Sequence, residues 1–209
     1  MIGDEIFDGH TVMAVLRNHS AGETVRLTHT ALDLGIGLIE VPIQTPDAVP
    51  ALEAAITAAR ERDAGCGAGT VTTVEQVELC ARLGASFTVA PGLDEDVLRR
   101  SRELEVPHLP GIATPTEIQM AVAAGCRWVK AFPASVLSPE WFLAMTGGPF
   151  PLVRFFASGG ISARNAEEFL VAGAAGVAVG SALEDPDQLP RLADLLRSRA
   201  PFSPTEPAN

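Results

Sequence analysis

The sequence predicts a single (β/α)8 barrel of the TIM type with a short N-terminal helix, and three observations carry that reading. Eight short apolar runs recur along the chain, segments with helical periodicity separate them, and the runs are continuously apolar rather than alternating. Continuously apolar strands are buried on both faces, as a parallel sheet wrapped in helices requires. Eight such units in 209 residues fit a compact closed barrel, with a doubly wound open sheet as the alternative. No G-x-G-x-x-G fingerprint follows the first run, which weakens the dinucleotide-binding form of that alternative.

In chain order, Met1 to Gly9 reads as an amphipathic lead-in with Ile2, Ile6 and Phe7 available to pack. Strands are expected from near Val12 (VMAVL), Gly37 (GLIEVPI), Gly65 (GCGAG), Ser86 (SFTVAP) and Val106 (VPHLPG), then Trp128 (WVKAFP), Val153 (VRFFASGG) and Gly176 (GVAVGSA). Helices are expected over Thr24 to Leu34, Ala48 to Arg62, Val74 to Leu83 and Asp94 to Leu104. The later ones are Pro115 to Ala124, Pro139 to Met145, Ala163 to Ala172 and Asp187 to Arg199. Thr73 and Thr114-Pro115 read as N-caps, the second with proline at the first helical position. Gly35, Gly84, Gly125 and Gly173 follow helical runs where a left-handed terminating glycine belongs. Residues 1–200 are expected to form one domain, and 201–209 a frayed tail.

Composition narrows the function. Hydrophobic residues make up 47% and charged residues 20%, the balance of a folded globular chain. No apolar run reaches the length of a membrane span and no basic-then-hydrophobic leader opens the sequence, so a cytoplasmic protein is expected. A net charge of −11 argues against nucleic acid and anionic membranes as partners, while leaving room for a small anionic substrate held by local donors. Cys66, Cys80 and Cys126 are odd in number and far apart, which reads as buried reduced thiols. His10, His19, His29 and His108 form no metal-binding pattern, and neither metal nor cofactor is assigned.

Lys130 is the only lysine; the other basic residues are all arginines. It lies in the apolar run Trp128-Val129-Lys130-Ala131-Phe132-Pro133. Arginine stays protonated, whereas a lysine held away from water can attack a carbonyl as the free amine. The competing reading is a lysine whose stem packs in the strand while its ammonium reaches outward. Glu40, flanked by Leu38, Ile39, Val41 and Ile43, is either a structural ion-pair partner or an acid/base group. In a barrel of this kind strand C-terminal ends build the active site. Polar residues and glycines cluster at those ends: Arg17, Glu40, Gln44, Gly67 to Thr70, Pro91-Gly92, Pro110-Gly111, Lys130, Ser158-Gly159-Gly160 and Gly180-Ser181. Glycines after the seventh and eighth strands suit a phosphate, because backbone N–H groups can approach its oxygens. Thr70 offers a hydroxyl for a substrate or for a helix cap, and Arg17 an anion contact or a surface charge. Trp128, Trp141, Phe155 and Phe156 read as packing residues.

The ordered set Ile39-Glu40-Val41, Gly67-Ala68-Gly69-Thr70-Val71, Ala90-Pro91-Gly92, Pro110-Gly111, Lys130-Ala131-Phe132-Pro133, Gly159-Gly160-Ile161 and Gly180-Ser181 resembles the class I 2-keto-3-deoxy-6-phosphogluconate / 4-hydroxy-2-oxoglutarate aldolase family. The resemblance spans roughly residues 10 to 185. It implies a TIM barrel, assembled as a homotrimer, that splits a 2-keto-4-hydroxy acid into pyruvate and an aldehyde in carbohydrate metabolism of the Entner–Doudoroff kind. It implies Lys130 as the Schiff-base lysine, Glu40 as general acid/base and Thr70 as a pyruvate-carboxylate contact. Ser158, Gly159, Gly160, Gly180 and Ser181 match the phosphate pocket. Arg17 matches an arginine found in many members, and Pro91 and Phe132 fall among the substrate contacts. Gln44 stands where phosphogluconate aldolases often carry arginine, which resembles the 2-keto-3-deoxy-6-phosphogalactonate branch. Ser158 stands where threonine is frequent. The expected partners are the phosphorylated sugar acid, pyruvate and glyceraldehyde 3-phosphate. The alternatives are 4-hydroxy-2-oxoglutarate cleaved to pyruvate and glyoxylate, or another phosphate-binding barrel without aldolase activity.

Overall fold

The computed structural model describes residues 4–198. Strand and helix alternate from end to end. The first four units are β1 (Val12–Val15), α1 (Ala21–Asp33), β2 (Leu38–Pro42), α2 (Val49–Arg60), β3 (Gly65–Gly69), α3 (Val74–Leu83), β4 (Thr88–Val89) and α4 (Glu95–Glu103). The rest are β5 (His108–Leu109), β6 (Gly111–Ile112), α5 (Pro115–Ala123), β7 (Trp128–Ala131), α6 (Ala134–Thr146), β8 (Arg154–Ser158), α7 (Ala166–Val171), β9 (Gly176–Val179) and α8 (Leu189–Ser198).

Every strand pairing is parallel, and the order is β5-β4-β3-β2-β1-β9-β8-β7-β6. The two ends of that order, β5 and β6, belong to one stretch of chain. The ring therefore closes through it, and the open doubly wound sheet is excluded. The expected fifth strand is split because Pro110 has no N–H to give to a ladder. Its carbonyl still accepts from Lys130 N–H at 2.8 Å, while Gly111 N–H turns to Gly92 O at 3.0 Å. Gly111 has no room for a side chain, since a Cβ there would overlap the Pro91 backbone.

Two apolar layers hold the barrel. The larger lies between strands and helices and includes Ile39, Val41, Val129, Phe155 and Val177. The smaller fills the barrel interior: Phe7, Met13, Leu38, Phe87, Val89, Leu109, Trp128, Phe156 and Ala178. The N-terminal helix is a single 3-10 turn, Asp4–Phe7, and it serves as a plug. Phe7 is fully buried edge-on to Phe87 and Phe156, with ring centroids 5.5 and 6.1 Å away. Ile6 packs against the same layer. Ile2 and the expected tail lie outside the described residues.

Helix ends follow local chemistry. Ser20, missed by periodicity, caps α1 by accepting from Glu23 N–H and moves its start ahead of Thr24. Thr73 accepts from Gln76 N–H, and Thr114 and Glu117 form a reciprocal capping box. Gly35, Gly84, Gly125 and Gly173 all have positive φ, the left-handed stop that glycine supplies most readily. Helix α6 starts five residues before the expected Pro139 and bends at Ser138 (φ 68°).

Candidate active site

Strand alternation aims the Glu40 and Lys130 side chains. Leu38 and Trp128 belong to the interior layer, so residues two positions on, Glu40 and Lys130, face the same way. Lys130 sits opposite Gly111 on one side and Phe156 on the other, and Glu40 sits opposite Gly67. The side chains are 5% and 0% exposed, and Lys130 Nζ lies 3.7 Å from Glu40 Oε1. That separation is outside hydrogen-bond range. Neither Glu40 oxygen has a hydrogen-bond partner among the described residues. A purely structural buried pair relies on close hydrogen bonds to offset the loss of water, and this one lacks them. The arrangement fits a carboxylate whose partner arrives with a ligand.

The glycines of β3 make the room. A Cβ on Gly67 would overlap the Phe87 ring, and one on Gly69 would overlap the Glu40 carboxylate. Cys66, on the outward face just before Gly67, is buried, and burial followed by the Glu40 charge pushes its thiol pKa up. All three cysteines are free and buried, as expected.

At the strand C-terminal ends lies a cavity of about 470 Å³ whose lining includes neither Lys130 nor Glu40. Its lining includes Arg17, Phe132, Ser158, Gly159, Gly160, Gly180 and Ser181, all named as candidate site residues, with Val15, Ile161, Ser162, Ala178 and Glu184, which were not. Lys130 Nζ stands 5.2 Å from the Phe132 ring centroid, so Phe132 joins the amine to the cavity. Gly159 and Gly160 have φ of 92° and 76°, the left-handed region that side chains avoid. A Cβ on Gly159 would also stand 2.9 Å from the Phe132 ring. Asn165 secures this loop, accepting from Ser162 N–H at 2.8 Å and donating to Gly160 O at 3.0 Å.

The remaining anticipated residues are placed differently. Thr70 directly follows β3 with φ 58°, a strained conformation for a β-branched residue. Its helix-cap reading is set aside, because Thr73 caps α3. Pro91, half-buried, follows β4 on the same barrel face, but it does not line the cavity. Gln44, expected among the substrate contacts, lies outside this cavity. Its amide donates to Asn18 Oδ1 at 2.5 Å, and it lines a neighbouring groove with Asn18, Thr45 and Asp47. Arg17 is exposed on the cavity wall. Among the described residues no group of three or more His, Cys, Asp or Glu side chains is placed to hold a metal. No helix of the described residues is long and apolar enough to cross a membrane.

The family model described as "Aldolase: KDPG and KHG aldolase" matches residues 4–195. The chain belongs to the KDPG and KHG aldolase family. Within that family it is 32% identical to a 2-dehydro-3-deoxy-6-phosphogalactonate aldolase of Escherichia coli (strain K12), covering 82% of this chain and 83% of the relative. It is also 32% identical to a 2-dehydro-3-deoxy-phosphogluconate aldolase of Dickeya dadantii (strain 3937), over 80% of this chain and 78% of that protein. Among solved structures, the Legionella pneumophila KDPG aldolase, with pyruvate captured at low pH as a covalent carbinolamine intermediate, superposes with a TM-score of 0.80 at 28% identity. The match covers 96% of this chain and 98% of that one.

Proposed function

We propose that the chain is a class I aldolase, a carbon–carbon lyase that reversibly cleaves a 2-keto-3-deoxy-6-phospho sugar acid of the gluconate or galactonate type. The products are pyruvate and D-glyceraldehyde 3-phosphate. The observation that carries this reading is the sole lysine of the chain, buried in the barrel 3.7 Å from an unpartnered carboxylate. The names of the relatives support the substrate class.

In this reading the Lys130 amine adds to the C2 ketone, and loss of water gives a protonated imine. Glu40 takes the proton of the C4 hydroxyl. The C3–C4 bond breaks, its electron pair passes into the imine to form an enamine, and the aldehyde leaves. Glu40 returns the proton to C3, and water releases pyruvate from Lys130. The imine supplies the electron withdrawal. Arg17, Ser158, Gly159, Gly160, Gly180 and Ser181 take the distal phosphate, with two left-handed glycines presenting backbone N–H groups. Thr70 and Pro91 border the pyruvate end. Gln44 contributes there only if it exchanges Asn18 for the substrate.

Cleavage of 4-hydroxy-2-oxoglutarate to pyruvate and glyoxylate is the second reading, favoured by the single cation, Arg17, in the cavity lining. A KM that rises strongly when the phosphate is removed separates the first reading from the second.

The domain is taken as residues 1–200, working in the cytoplasm as a homotrimer. Apolar side chains at the surface support self-association: Val136 and Leu143 on α6 are 78% and 62% exposed, and Leu152 is 83% exposed. Sedimentation at micromolar concentration tests the assembly. The chemistry is tested by the intact mass after incubation with pyruvate and borohydride. One reduced pyruvyl adduct, mapped to Lys130 and absent from Lys130→Arg, is expected. Folded protein that forms no adduct would sink the imine mechanism.

A further inference from the structure

The distal pocket contains a charge that the proposed chemistry does not use. Glu184 lines the same cavity as Arg17, so an anion and a cation share the space assigned to a phosphate. An exposed guanidinium and a carboxylate on one cavity wall would ordinarily pair. Here they do not: among the described residues Arg17 makes no ion pair and no side-chain hydrogen bond.

Glu184 is engaged elsewhere. His19 Nε2 lies 3.3 Å from Glu184 Oε1, with the His19 side chain only 15% exposed and that of Glu184 47% exposed. His19 immediately precedes Ser20, whose side chain accepts from Glu23 N–H to cap α1. The imidazole is therefore carried by backbone fixed to a helix start. Arg26, which feels the Glu184 charge, is occupied by Glu23, which accepts from its Nε at 2.9 Å. His19 holds the carboxylate, Glu23 holds Arg26, and Arg17 is left for a ligand.

We propose that His19 is a positioning residue that holds Glu184 off Arg17 and so keeps Arg17 available to the phosphate monoester of the substrate. The proposal rests on the phosphate reading of this pocket. Without the imidazole, Arg17 is, among the described residues, the one cation that lines this cavity together with Glu184, and the phosphate must then compete with an internal carboxylate.

The test is inorganic phosphate binding, measured by titration calorimetry on the full chain as wild type, His19→Ala, Glu184→Gln and the double variant. His19→Ala is expected to weaken binding about fivefold, the worth of one competing exposed ion pair. Glu184→Gln alone should bind at least as tightly as wild type, and the double variant should regain that affinity. Rescue by removal of the carboxylate is a result that a merely structural role for His19 would not give. Wild-type affinity in His19→Ala, a loss that Glu184→Gln does not restore, or a wild type that binds no phosphate would each overturn the proposal. Pyruvate–borohydride labelling of the wild type keeps the two readings apart. A missing adduct removes the aldolase reading, while the phosphate series reports on the pocket by itself.

Discussion

Replacing Gly69 by alanine tests whether the position of the Glu40 carboxylate, and not only its presence, drives the chemistry. Gly69 does not have a positive φ, so alanine fits the backbone and the effect is steric. Its Cβ would overlap Glu40 Oε1 and stand 2.7 Å from Cδ and 2.8 Å from Cγ. Ordinary contact begins at 3.4 Å, so the carboxyl carbon has to retreat by about 0.7 Å and the oxygen by more. Glu40 is fully buried with no solvent to receive it. Overpacking of this kind costs about 1–3 kcal/mol, or roughly 2–10 °C in the unfolding midpoint. A displacement approaching 1 Å in a reacting group costs on the order of 10²-fold in rate. The variant should therefore fold, still form the Lys130 adduct with pyruvate, and lose about 10²-fold in cleavage. Exchange of the pyruvate methyl protons with deuterium, followed by NMR, should fall in parallel, because it needs the Glu40 proton transfer on the Lys130 imine but no carbon–carbon cleavage. A folded Gly69→Ala protein that exchanges and cleaves within about twofold of wild type would refute the reasoning.

Three further outcomes are expected. Glu40→Gln keeps the carbon skeleton but not the base, so adduct formation should persist while methyl exchange drops by at least about 10²-fold; undiminished exchange would remove Glu40 from the mechanism. His108 is buried with Nδ1 2.8 Å from Thr88 Oγ1, and burial lowers its pKa to about 4. The folded chain then stays neutral at His108 while the unfolded chain takes a proton near pH 6.5. The resulting stability is complete above that pH and declines as the pH falls towards 4, by about 3 kcal/mol in all. Urea unfolding at pH 7 and pH 4.5 should show a smaller loss for His108→Gln than for wild type, and equal losses would contradict the assignment. Thr114→Ala removes the acceptor of Glu117 N–H at the start of α5, and should cost about 1 kcal/mol, read as a lower urea midpoint with an unchanged slope.

The elements that repeat with a fixed period were legible in the sequence. Strand runs such as Leu38–Pro42 and Trp128–Ala131 are apolar on both faces, and a polar residue inside them is conspicuous by contrast; that is how Glu40 and Lys130 stood out. Caps at Thr73 and Thr114 and left-handed stops such as Gly35 and Gly125 act through bonds within a few residues, so their neighbours identify them. Two features carried no such local signal. The amide of Gln44 donates to Asn18, 26 positions earlier, a partner that its own neighbours in sequence do not reveal. Glu184 ends a single 3-10 turn after β9, too short to show periodicity, and its meaning depends on His19 and Arg17, both near the other end of the chain.

By itself the sequence determined the alternation of elements, the parallel barrel and the two charged residues, Glu40 and Lys130, set inside apolar strands. These follow from periodicity, capping and the chemistry of single side chains. Tertiary structure decided the rest: that Gly69 leaves the space occupied by the Glu40 carboxylate, and that Phe7 closes the barrel interior. It also decided that the ring is completed across Pro110, and that His19 and not Arg17 holds Glu184. Each of these is a contact between residues distant in sequence, fixed by packing volume and charge in three dimensions, which no local pattern encodes.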